Sequence, residues 1–109
     1  MKTIIYAGDS LVTGDDIADA VLRYSKALAH SSEAETVEIP VVRPDGSRIH
    51  ATLLVGPASQ IVAEDLPDAE EELIDEELVA RLDQRTRAMY SHAVVDDEPP
   101  PAGWLETDL

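Results

Sequence analysis

Two alternating runs, Glu35–Val42 and Arg48–Val55, flank the triplet Pro44-Asp45-Gly46. In the first, Val37, Ile39 and Val41 share one side of an extended backbone; in the second, Ile49, Ala51, Leu53 and Val55 do. A three-residue loop closed by Arg43 and Ser47 pairs Val41 with Ile49 and Ile39 with Ala51. That register puts both apolar sets on the same side, and a slip of one residue would turn every side chain over. Pro-Asp-Gly suits a type I turn followed by a glycine bulge. Pro40 has no amide hydrogen to donate, so its strand is expected to expose an edge at that point. A hairpin with one apolar face needs cover, and the rest of the chain must supply it.

The cover is legible in Ile17, Ala20, Val21, Tyr24, Ala27 and Leu28, which recur at helical spacing and predict a helix ending near Ser31. Thr13-Gly14-Asp15-Asp16 before it resembles a capping box, with Thr13 as cap, Asp16 reaching back, and Val12 and Ile17 as a hydrophobic staple. Asp19 and Arg23 stand at i,i+4. Lys2 to Ala7 reads as a strand ended by Gly8-Asp9-Ser10, and Gln60 to Glu64 favours a further short strand.

A second helix is expected from Leu66-Pro67-Asp68 to about Tyr90. Leu73, Ile74, Leu78, Leu82 and Met89 would form its buried stripe, and Glu77 with Arg81 and Asp83 with Arg87 its i,i+4 pairs. After Tyr90, Asp96-Asp97-Glu98-Pro99-Pro100-Pro101 suits neither helix nor sheet interior. The reading is a single α+β domain over residues 1–90 and an acidic, Pro-rich tail over 91–109. The order is β-α-β-β-(β)-α, a small antiparallel meander with two helices packed on one face.

Composition narrows the function. The 109 residues contain no Cys, which excludes thiolate catalysis, disulfides and Cys-based zinc sites. The net charge is -15, and 15 of the 23 acidic residues follow Gly56, as do only three of the eight basic ones. A nucleic-acid or anionic-lipid surface needs clustered Lys and Arg, and none is present. The apolar run Thr3 to Ala7 is too short for a signal-peptide core or a membrane span. The expected setting is cytoplasmic, and the Arg- and Ala-rich composition suggests a bacterial source.

Ala7-Gly8-Asp9-Ser10-Leu11, following an apolar strand, resembles the nucleophile block of the GDSL hydrolases. That resemblance would make Ser10 the nucleophile. It covers five residues; the chain has no Asn for the family's oxyanion block, and Met89 stands three residues before His92 where an Asp would be needed. A serine without a base or oxyanion donors is not activated. His30, His50 and His92 lie on separate elements with no ligand spacing, and glycines are too sparse for a phosphate loop. No cofactor or metal is expected.

The sequence therefore reads as a non-enzymatic protein-interaction module that neutralises a basic protein partner, in the manner of an antitoxin or immunity protein. Glu70, Glu71 and Asp75 on the acidic second helix, with Trp104 and Leu105 in the tail, are the candidate contact residues. The closing Thr107-Asp108-Leu109 also fits the loose pattern that strand-adding peptide grooves accept. The alternative is an enzyme or small-ligand binder whose site, around Asp9, Ser10, Thr13 and His50, forms between subunits. A two-fold homodimer is expected, because Val42 and Leu54 put apolar atoms on the sheet face opposite the core.

Overall fold

The computed structural model describes residues 1–67 and 71–97, the side chains of 91–97 excepted. It is an α+β fold: β1 (Lys2–Tyr6), β2 (Asp9–Thr13), α1 (Asp15–His30), β3 (Glu35–Val42), β4 (Arg48–Val55), β5 (Ile61–Asp65) and α2 (Glu76–Asp97). The five strands form one antiparallel sheet in the order β4-β3-β2-β1-β5.

The β3–β4 hairpin has the register that its alternation predicts, Val41↔Ile49 and Ile39↔Ala51. Arg43 and Ser47 close the loop, and Asp45 accepts hydrogen bonds from the Ser47 amide and hydroxyl at 2.9 and 2.7 Å. Gly46 is left-handed, with φ 88°, as the glycine bulge requires. At Pro40 the edge reading holds in a particular way. β3 is interior in strand order, yet its register with β2 consists of the one pair Val12↔Val42. Beyond it, Thr36, Val37 and Glu38 border a crevice with Leu78, Arg81 and Arg85 of α2, so the helix flanks that edge.

The chain between β1 and α1 departs from expectation. Gly8-Asp9-Ser10 does not lead into the helix. Ala7 and Gly8 both have positive φ, 53° and 86°, and form a two-residue turn closed by Tyr6↔Asp9. Paired positive φ values match the twist of a tight hairpin, so Asp9–Thr13 returns as β2. Thr13 consequently ends a strand and does not cap α1: its buried hydroxyl donates to the Pro40 carbonyl at 2.7 Å. The N-cap is Gly14, without a side-chain bond of its own.

α1 buries the face its spacing predicts, with Ile17, Ala20, Val21, Tyr24, Ala27 and Leu28 all buried, and Ala18 beside them. These side chains pack on Ile4, Val37, Ile39, Val41, Leu53 and Val55 from the sheet and on Leu73, Leu78 and Leu82. α2 begins at Glu76, ten residues later than Leu66, and continues past Tyr90 to Asp97. Leu66 instead extends the β1–β5 pairing by donating its amide to the Met1 carbonyl. Leu73 is buried, but in the loop before the helix, and Ile74, expected in the buried stripe, is 67% exposed.

The two helices run side by side in the same direction. Arg23 makes a two-point ion pair with Asp83 at 3.0 and 3.1 Å, and the His30 and Tyr90 rings lie 6.2 Å apart. Asp19 pairs with Lys2 at 2.8 Å. The expected Asp19–Arg23 and Asp83–Arg87 pairs are thus replaced by contacts between elements, where the partners approach more closely than along one helix.

Candidate interaction surfaces

Parallel helices place both N-termini at one end of the molecule, where unpaired amides and two positive dipole ends favour carboxylates. The structure answers with side chains from the loop before α2. The Glu72 carboxylate accepts the Asp15 amide, so the cap that Gly14 lacks is supplied from a distant part of the chain. The same carboxylate lies 2.7 Å from the Met1 ammonium, with Asp15 at 3.0 Å. Hydrogen bonding to Glu72, and secondarily to Asp15, raises the pKa of that ammonium above 8.0. Asp75 accepts the Leu78 amide at 3.1 Å, which makes it the N-cap of α2.

This arrangement rests on Gly14. A β-carbon there would overlap the Leu73 carbonyl, so only glycine lets the loop approach α1 closely enough to bury Leu73 and deliver Glu72. The same turn of chain pushes Ile74 outward. It lines a crevice with Leu73, Val79 and Ala80 on its apolar side and Asp16, Glu72, Asp75 and Glu76 on its acidic side.

The second surface is the sheet face away from the helices. Strand register puts Ile5, Val12, Val42, Leu54 and Val62 on it, opposite the buried Ile4, Val41 and Val55. Leu54 and Val62 are 55% and 51% exposed. Two grooves indent this face. One, of about 660 Å³, has Val12, Val42, Arg43, Arg48, Leu66 and Leu73 among its walls; the other, of about 550 Å³, lies beside Ile5, Leu54 and Val62.

The sequence candidates fall as follows. Glu71 is exposed and stands 3.7 Å from Arg48; Asp75 is half-buried in its capping role. Glu70, Trp104 and Leu105 lie outside the described residues. Ser10 is exposed on β2, paired with Ile5, and is not at the start of a helix as the nucleophile block would need. His50 pairs with Pro40, on the other side of the Val12↔Val42 pair along the strands. No hydrogen bond among the described residues joins Ser10 to His50, and Thr13 is buried in the sheet with its hydroxyl donated to the Pro40 carbonyl. Among the described residues no cluster of three or more His, Asp or Glu is arranged to hold a metal ion, and no helix is long and apolar enough to cross a membrane. The exposure of Ile74 escaped the sequence reading, since helical spacing put it inside; the signal for it was Asp75-Glu76-Glu77-Leu78, which fits a helix start.

No family model, curated protein or solved structure matches the chain.

Proposed function

We propose that the chain is a non-catalytic protein-binding module whose acidic end receives, and masks, a basic protein partner. The observation that carries this reading is Ile74, two-thirds exposed in a crevice that has Val79 and Ala80 on one side and Asp16, Glu72, Asp75 and Glu76 on the other. An apolar anchor with a polar rim is the arrangement from which a few residues supply most of an interface's binding energy. The surrounding carboxylates steer an oppositely charged surface towards it and make association dependent on salt. The concentration of acids after Gly56 extends the attraction beyond the crevice itself.

The test places a photo-crosslinking side chain at position 74 in cells of the source organism and identifies what it captures. The expected product is a basic protein whose capture declines with added salt and whose binding is lost on Ile74→Ser at unchanged melting temperature. Capture of acidic or neutral proteins only, or binding indifferent to Ile74→Ser, would refute the reading.

A further inference from the structure

The two helices end at different levels. α1 stops at His30, whose ring lies 6.2 Å from that of Tyr90, while α2 runs on to Asp97. Beside this step, the last turns of α1, the start of β3 and α2 border a crevice of about 400 Å³. Its floor is apolar: Tyr24 and Leu28 are buried and Met89 is half-buried. Its rim is polar, with Ser31 and Glu35 from the α1–β3 stretch and Arg85 from α2.

These groups suit an indole. The ring is a large apolar body for the floor, and its N–H is a donor that Ser31 or Glu35 can receive. A thioether at the ring edge and a guanidinium near its face are both favourable contacts for an aromatic. The chain holds one Trp, Trp104, which lies outside the described residues.

The connection is long enough. From Met89 to Asp97 is eight steps of helix, about 12 Å. The seven residues 98–104 span about 23 Å when extended. Trp104 thus reaches back to the level of Met89 with chain to spare. From Asp97 to Glu76 is about 32 Å, so Ile74 and the acidic end are out of its reach while α2 stays folded. Charge points the same way. Glu106 and Asp108 follow the Trp, and Arg85 also lines the next crevice along α2, together with Arg81. The groove beside Ile5, Leu54 and Val62 has no charged residue among its walls.

We infer that the C-terminal segment folds back on its own chain, with Trp104 seated over Tyr24, Leu28 and Met89 and the acids after it alongside Arg85 and Arg81. Trp104 then ties α2 to α1 and to the start of β3, and serves the fold and not a partner. The crevice is at the opposite end of the helices from Ile74, so this inference and the partner-binding reading stand or fall separately.

As the sole Trp, Trp104 reports on itself by fluorescence. In the full chain its emission should lie at shorter wavelength than that of a peptide of residues 98–109, and acrylamide should quench it less. Both properties should persist on dilution, and NMR should show cross-peaks between the indole and the Met89 methyl. Ala88→Glu and Arg85→Glu change exposed positions on the crevice wall. Each should move emission and quenching towards the peptide's values at unchanged circular dichroism. Peptide-like emission from the full chain overturns the inference. So does a blue shift that vanishes on dilution, which would seat the indole on a second copy. A persistent blue shift without the Met89 cross-peaks, or one that both variants leave untouched, would seat it elsewhere on the chain and overturns the inference equally.

Discussion

The Glu72 carboxylate accepts the backbone amide of Asp15, joining the first turn of α1 to a loop 57 residues further along the chain. Capping of this kind normally comes from the residue next to the helix, and here it comes from a loop held by burial of Leu73. Glu72→Ala should therefore destabilise the fold by about 1 kcal/mol, the usual scale for a lost N-cap. Glu72→Gln, which keeps an acceptor oxygen and loses the charge, should cost less. Urea denaturation of the three proteins checks the order.

Gly14 and Gly8 should respond differently to Ala. Gly14 has φ -69°, a value open to any residue, so its requirement is purely one of space: the Leu73 carbonyl occupies the place of a β-carbon. Overpacking of this type costs about 1–3 kcal/mol, and Gly14→Ala should stand at the upper end because backbone must move. Gly8 has φ +86° and nothing near its missing β-carbon. Gly8→Ala should cost about 1–2 kcal/mol through the left-handed backbone alone. Crystal or NMR structures would show a displaced loop in the first variant and an unmoved hairpin in the second.

Thr13→Val keeps the shape of a buried side chain and deletes the hydroxyl that donates to the Pro40 carbonyl. Loss of one partner from such a bond costs about 1–3 kcal/mol. The denaturation midpoint should fall with an unchanged slope, since the unfolded state exposes the same surface.

In a chain that begins at Met1, the ammonium held by Glu72 and Asp15 has a pKa raised above 8.0. A group with a raised folded-state value binds its proton more tightly when folded. Its contribution is complete below pH 8.0 and is lost as the pH climbs through the higher folded value. Lys2, raised above 10.5 by Asp19, gives way only in a more alkaline range. The melting temperature should decline from pH 8.0 upward, and Glu72→Gln should flatten that decline.

How much the sequence disclosed follows from the range of the forces involved. The β3–β4 register was readable because alternation and turn chemistry act between neighbours and agree. α1 was readable because one helix face had to be apolar. β2 was not, since its turn uses Ala7 in a left-handed backbone, a position that Asn, Asp or Gly normally marks. Thr13-x-x-Asp16 also offered a cap that a contact with Pro40 displaced. The start of α2 was misplaced because Pro67-Asp68 and Asp75 both fit helix starts, and the choice between them depends on Leu73 packing against Gly14. Glu71 and Asp75 were legible as acids, but the crevice that Ile74 shares with Asp16, Glu72, Asp75 and Glu76 follows from that same packing.

The one-pair junction between β2 and β3 bears on how the molecule opens. A ribbon of β1, β2 and β5 and a ribbon of β3 and β4 are each internally laddered, while the Val12↔Val42 pair is joined between them by single hydroxyl bonds, from Thr13 to the Pro40 carbonyl and from Tyr6 to the Leu54 carbonyl. α1, strung between β2 and β3, is the real fastener, through core side chains that touch both ribbons. Amide hydrogen exchange should resolve two cooperative units with separate protection levels, and a cavity in α1, such as Ile17→Ala, should lower both together.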